Sequence, residues 1–340
     1  LKFCKDIMPP KMYKKLICTE ISRDFRAVAK VVSTDYQAPK ANEITVKNMF
    51  AGINASDINI AAGLYFVDAE APFDLGAETT GEVVAVGQDV TQYKQGDHVA
   101  TLVIGGGFRE YLTLPAELAI PIPKATPEIT SMILNGLTAK VGLDVVGEMK
   151  SGETIFVTAA AGGVGHFVVQ LAKKAGNHVV CTCGSDEKVD FLKRLGADRV
   201  INYNKENVAA VLKAEYQDKL NLVFEMVGGD FFDAAVDNLA EFGRLVICGC
   251  ISEYQSGPVE VQQARIYHKL LWKCASLRAY IFNRYPEHLP QKLTELIEAY
   301  QSGELEVVVD SKRFEGVESV VDAVDHMYAG KNIGKIIVHI

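Results

Sequence analysis

The stretch richest in chemistry is "TIFVTAAAGGVGHFVVQLAKKAG", residues 154–176. A buried-strand run leads into Gly162, Gly163 and Gly165, and helical spacing follows until Gly176 closes it. Glycines at such a junction let backbone amides approach a pyrophosphate, and the start of the helix adds partial positive charge. Read from Ala159 through Gly162 to Gly165, the spacing is A-x-x-G-x-x-G rather than the strict dinucleotide fingerprint. A sharp strand-to-helix turn uses the same residue types, so the loop takes its meaning from its surroundings. The strand before it, the helix after it and four further strand signals point to a bound dinucleotide.

The residues beyond the loop indicate which dinucleotide. A site for NAD usually ends its second strand on an acid, about 20 residues past the glycines. Here Gly184 and Ser185 directly follow the strand-like "HVVCTC". Asp186 and Glu187 read as the first turn of the next helix, with Ser185 as its cap, where acids suit the dipole. Lys188 then stands where the dipole disfavours a cation, which makes sense if it meets an adenosine 2′-phosphate. Tyr203, in "INYNK" after the third strand signal, can cover that phosphate from the other side. The expected cofactor is NADPH/NADP+.

The elements that must position these groups fall into two sets. Short strand signals crowd the first third, among them "EITVKNMFAGI", "TGEVVAVG", "DHVATLVIGGG" and "FREYLTLP", which suggests a compact β-barrel-like domain. "PAELAIPIPKATP" reads as a transition, and from about residue 129 the rhythm changes to alternating strand and helix, as in a parallel doubly wound sheet. After Phe282 come the helical "LPQKLTELIEAYQSG" and "VESVVDAVDHMYAG" and a final strand "GKIIVHI", where the chain is expected to return to the first domain.

Composition narrows the partners. With 340 residues, two domains are the natural expectation. The formal net charge of −8 makes nucleic acid a poor partner, and no uninterrupted apolar run approaches the ~18 residues a membrane span needs. "LKFCKDIMPPKMYKK" lacks a secretory pattern, and the closing "VHI" is no recognised address, so the cytoplasm is the expected location. Seven cysteines, Cys4, Cys18, Cys181, Cys183, Cys248, Cys250 and Cys274, are an odd number set mostly in apolar runs, which fits free thiols. The two C-x-C pairs sit in strands that the proposed sheet order does not make neighbours, so they are read as packing residues and not as a metal site.

Together "GINASDIN", "AAAGGVG", "SDEK", "INY", "GCISEYQ" and "YAGKNIGKI" resemble the medium-chain dehydrogenase/reductase superfamily, within it the zinc-independent quinone and double-bond reductases. The resemblance runs from about Tyr13 to Ile340. It implies an α/β chain: a GroES-like β-barrel catalytic domain over 1–128 and 285–340, and a doubly wound Rossmann nucleotide-binding domain over 129–284. It implies cofactor contacts at Val164, Gly184, Lys188, Tyr203, Met226, Cys248 and Tyr254, with the backbone of Tyr280, Ile281 and Phe282 near the nicotinamide carboxamide and Asn332 on the far side. Met226 and Cys248 depart from the residue types expected there, so their contact is expected mainly through backbone. A homodimer through the edges of the nucleotide-binding sheet is likewise implied, and the resemblance leaves a peroxisomal location open.

In the zinc-dependent branch of that superfamily a cysteine stands at the position of Asn54 and a histidine before Glu78, where this chain has Ala77. An amide and a methyl do not replace thiolate and imidazole, so no metal is expected. Interconverting an alcohol and a ketone gains much from a metal that polarises the oxygen. Hydride addition to the β-carbon of an α,β-unsaturated carbonyl instead spreads charge onto an enolate oxygen, which positioned hydrogen bonds can stabilise. By resemblance the candidate donors are Asn54, Tyr65 and Tyr254, while Phe66, Phe73, Phe282 and Tyr285 would suit an apolar substrate chain. The expected activity is NADPH-dependent reduction of the C=C bond of α,β-unsaturated ketones and aldehydes, of the 2-alkenone or 15-oxo-prostaglandin 13-reductase type. The alternatives are an NADPH:quinone oxidoreductase of ζ-crystallin type and a cofactor-binding protein with little turnover.

Overall fold

A computed structural model of the protein describes residues 10–66, 68–261 and 265–340. Cys4 lies outside the described residues. The chain divides into two units. The first comprises Leu1–Leu134, Val309–Lys331 and Ile336–Ile340, and the second Asn135–Val308 and Asn332–Lys335.

The first unit is organised around the strand Glu43–Gly52. One edge pairs antiparallel with Thr79–Val86, and the other is shared by Tyr111–Pro115 and Ile337–His339. His98–Thr101 and Ala119–Pro121 extend the sheet beyond Thr79–Val86, and Phe314–Glu315 extends it beyond Ile337–His339. Ile44, Val46, Val83, Val99, Leu112 and Leu114 bury their side chains in one core. A second core joins Leu16, Ile53, Ile58, Leu75 and Phe108 to Phe314, Val317, Val320 and Val324. Residues near the C-terminus therefore complete the hydrophobic interior of the first unit.

The second unit carries a fully parallel sheet. Its strands are β1 (Thr154–Val157), β2 (His178–Cys183), β3 (Arg199–Asn202), β4 (Leu220–Glu225), β5 (Leu239–Ile247) and β6 (Ser276–Ala279). The spatial order is 3-2-1-4-5-6, the doubly wound arrangement whose switch point lies between β1 and β4. Helices α1 (Gly165–Lys174), α2 (Asp186–Arg194), α3 (Val208–Glu215) and α4 (Gly229–Asp237) follow β1 to β4. The apolar runs bury Phe156, Val180, Ile201, Leu220, Val223 and Leu245 in the sheet core. Cys181 and Cys183 lie in β2, whereas Cys248 and Cys250 follow the end of β5, and β1 and β4 separate the two strands. Burial raises the thiol pKa values of Cys181 and Cys183, which leaves them protonated packing groups.

Three boundaries differ from expectation, and at the first of them residues 129–134, assigned by sequence to the second domain, belong to the first unit. Residues 285–308, assigned by sequence to the first domain, belong to the second unit. Helix α5 (Leu289–Gln301) buries Leu293 and Leu296, and its charged face is tied to the preceding helical run. Lys140 pairs with Asp144 at 2.7 Å and Glu295 at 3.0 Å, and Lys292 meets Asp144 at 2.6 Å. The segment Asn332–Lys335 also joins the second unit, because the Gly334 amide donates to the Ala161 carbonyl at 2.8 Å and Lys335 donates to Val308 at 2.9 Å.

The helical run Pro127–Val146 is long and apolar enough by composition to cross a membrane, but 78% of its apolar window is buried inside the protein, as in a core helix.

Candidate active site

The glycine loop is built by close approach. A Cβ on Gly165 would lie 2.5 Å from the Cα and carbonyl oxygen of Ala160, so the helix can start there only on glycine. Gly163 is crowded by the Asn135 side chain and the Lys335 stem, whereas Gly162 would meet only the Ala159 oxygen, at 3.3 Å. No side chain caps the first turn of α1. This is the geometry an anion-binding loop needs: a bare helix start with a half-buried, uncrowded backbone at Gly162.

His166 fastens the loop from below. It is fully buried, and its Nε2 accepts from the Val308 amide at 3.3 Å. The proton must then sit on Nδ1, which donates to the Gly162 carbonyl at 3.0 Å. Burial lowers the imidazole pKa to about 4, so the ring is neutral at pH 7.

The second corner forms where β2 and β3 end. Ser185 caps α2, its hydroxyl accepting from the Lys188 amide at 3.3 Å, so Asp186 and Glu187 are the first helical turn. Asp186 is held by the Asn202 amide at 3.0 Å and by Lys205 at 2.5 Å, and those partners lower its pKa. Its carboxylate is therefore occupied within the corner. Tyr203 packs on Gly184 so closely that a Cβ there would lie 2.4 Å from the phenol oxygen. The Asn204 amide donates to the Gly184 carbonyl at 2.6 Å. Lys188 and Tyr203 flank the same glycine-containing turn. Asn204 and Lys205 went unread by sequence although they lie in the same "INYNK", because only the fold shows them turning back onto Gly184 and Asp186.

A third cluster lies at the ends of β4, β5 and β6. Glu225 is buried and raised in pKa by that burial. It accepts from the Thr158 hydroxyl at 3.1 Å, from Val227 at 2.9 Å and from Gly228 at 3.0 Å. The Thr158 oxygen in turn accepts from the Met226 amide at 2.8 Å, and the Cys248 amide donates to the Glu225 carbonyl at 2.8 Å. The backbone of Met226 and Cys248 is thus positioned by Glu225 and Thr158, two residues that no motif in the sequence marks. Tyr254 accepts from the Cys250 amide at 3.3 Å. Tyr280 spends its hydroxyl proton on the Thr138 carbonyl at 2.7 Å, while Ile281 is exposed and Phe282 opens a short turn. Asn332 is buried and donates to the Gly334 carbonyl at 2.9 Å. All the expected cofactor residues lie in the second unit.

Asn54 and Tyr65 lie in the first unit. Asn54 is buried, and its amide nitrogen donates to Glu78 at 3.0 Å and to the Gly52 carbonyl at 3.3 Å. Its backbone amide donates to Asp57 at 2.8 Å, and the other oxygen of Glu78 accepts from the Leu134 amide at 3.0 Å. The amide hydrogens of Asn54, the residue expected to donate to substrate, are directed at acceptors within the unit, one of them the buried side chain of Glu78. Tyr65 is partly exposed in the turn after the helix Asp57–Ala61, and Phe66 and Phe73 pack with ring centroids 5.1 Å apart. Among the described residues no three or more His, Cys, Asp or Glu side chains are grouped so as to hold a metal ion.

Comparison with known proteins agrees with this architecture. The model of the alcohol dehydrogenase GroES-like domain matches residues 40–124, and that of the zinc-binding dehydrogenase matches residues 163–299. Prostaglandin reductase-3 of Mus musculus is 45% identical over 97% of this chain and 90% of its own length. An NADP(+)-dependent 2-alkenal reductase of Nicotiana tabacum is 32% identical over 91% of both chains. The structure of Escherichia coli quinone oxidoreductase complexed with NADPH superposes with a TM-score of 0.83 at 26% identity, covering 96% of this chain and 100% of that one. A parallel 3-2-1-4-5-6 sheet behind a glycine loop, a largely antiparallel strand unit completed by the C-terminus, and full-length relatives all place the protein in the medium-chain dehydrogenase/reductase family.

Proposed function

We propose that the protein is an NADPH-dependent reductase of conjugated C=C bonds in α,β-unsaturated ketones and aldehydes. The observation that carries the reading is the pair of corners on one sheet: a glycine loop with a bare helix start, and the Gly184 turn flanked by Lys188 and Tyr203. The first fits a pyrophosphate, and the second fits the extra phosphate that distinguishes NADPH from NADH. When bound, NADPH supplies a hydride for the β-carbon of the substrate.

The chain's own part is to bind, orient and stabilise. Lys188 and the capped start of α2 hold the 2′-phosphate, with Tyr203 over it. The network of Glu225 and Thr158 fixes the backbone at Met226 and Cys248, so that the nicotinamide end meets preset amides and carbonyls. Tyr254 and Tyr65 are the candidates for stabilising the enolate oxygen or delivering the α-carbon proton; a phenol pKa near ~10 suits a hydrogen-bond donor better than a strong acid. Asn54 acts by ordering Glu78 and its own loop. The names of the mouse and tobacco relatives, a prostaglandin reductase and a 2-alkenal reductase, favour an enone or enal substrate. Likeness to a quinone oxidoreductase supports the second reading, a quinone as acceptor.

Following NADPH oxidation with a long 2-alkenone, a 15-oxo-prostaglandin and a simple ortho-quinone separates the two. A saturated ketone as product supports enone reduction; turnover of the quinone alone overturns it. A homodimer through the edge of the sheet at β6 belongs to the same proposal, and sedimentation showing only a 37.1 kDa species would refute it.

A further inference from the structure

Asn135 is the most anomalous polar residue near the loop. Its Oδ1 is sealed from solvent and has no hydrogen-bond partner among the described residues, and the residue is only 7% exposed. It sits in the π-helical turn Met132–Gly136, an irregularity that helices often carry at functional sites. That turn aims the amide at the glycine loop: a Cβ on Gly163 would lie 3.0 Å from Asn135 Oδ1 and 3.3 Å from the Lys335 stem. A buried amide oxygen with no partner costs stability, and a helix interior offers many apolar residues that would pack there without that cost.

We propose that Asn135 is a binding residue for the dinucleotide, accepting a hydrogen bond from the ribose hydroxyl that adjoins the pyrophosphate on the nicotinamide side. An acceptor needs a donor, and a phosphate offers none near pH 7, whereas a ribose hydroxyl next to it does. The stem of Lys335, almost fully buried, packs against the same glycine and closes the other side of the loop. The inference rests on the reading of this loop as the NADPH site.

The test uses the full chain and two readouts. Titration calorimetry gives Kd for NADPH and NADH, and thermal denaturation without nucleotide gives Tm, for wild type, Asn135→Leu and Asn135→Ala. The expected result is about a tenfold rise in Kd for both nucleotides, with an unchanged or higher Tm for Asn135→Leu, because the unpaired amide oxygen is gone. Loss of affinity for both nucleotides separates this site from the 2′-phosphate corner, where only NADPH suffers. An unchanged Kd in both variants overturns the inference, and so does a lower Tm with unaltered affinity, since Asn135 then serves the fold. Wild-type protein that binds neither nucleotide overturns the proposed function itself, and a normal wild-type Kd retained by the variants sinks only the role of Asn135.

Discussion

The side-chain amide of Asn54 donates to the carboxylate of Glu78 across 3.0 Å, with both residues buried. A neutral donor facing a buried carboxylate is a stable arrangement; two acids at that distance are not. In Asn54→Asp, one carboxyl must stay protonated, so its pKa rises in the folded state. The deficit in Tm relative to wild type should therefore be small at pH 5 and grow towards pH 8, by about 1.4 kcal/mol for each unit of pKa shift. Thermal denaturation at pH 5, 6.5 and 8 measures it. A deficit independent of pH would show that Asn54 acts through shape alone.

Lys188 defines the choice of cofactor. Its backbone is fixed by the Ser185 cap, so removing its side chain leaves the start of α2 intact. Lys188→Ala should lose a charge-assisted contact worth ~1.5–3 kcal/mol, or roughly 10- to 100-fold in NADPH affinity. NADH affinity should barely change. Calorimetry with both nucleotides decides, and equal losses would assign Lys188 another task.

His166 links the loop to acid stability. Its folded pKa is lowered from 6.5 to about 4 by burial. Below pH 6.5 the unfolded chain takes up a proton that the folded chain refuses, so this contribution is present at neutral pH and is lost as pH falls towards 4. The slope is about 1.4 kcal/mol per pH unit. His166→Gln removes the titrating group, so the Tm gap between wild type and variant should narrow or reverse on acidification from pH 7 to pH 5. A constant gap would mean that His166 is charged or solvated in the native state.

The glycines of the loop should rank by what surrounds them. Gly165→Ala forces a methyl into backbone at 2.5 Å and should cost about 1–3 kcal/mol or more. Gly162→Ala meets one atom at 3.3 Å and should leave Tm nearly unchanged. Chemical denaturation of the two variants tests the order, and equal destabilisation would contradict the packing described here.

Much of this protein was legible from local pattern. Alternating apolar strands and amphipathic helices announced the doubly wound sheet, and its order kept "HVVCTC" and "RLVICGC" apart as expected. Ser185 followed by two acids announced the start of α2, since a cap and its dipole partners act within one turn. The glycine spacing marked the loop because close backbone approach restricts the residue type at the point itself.

Through-space meetings were decided only by the tertiary structure. No periodicity in the sequence sets Glu78 against the amide of Asn54, Asn135 against Gly163, or Lys205 against Asp186. The helix Leu289–Gln301 is amphipathic wherever it docks, and the ion pairs of Lys140 and Lys292 with Asp144 and Glu295 attach it to the second unit. Composition and spacing express what a residue does to its own few neighbours along the chain. Which buried acceptor meets which donor, and which polar atom is left over for a ligand, follows from packing between segments far apart in sequence.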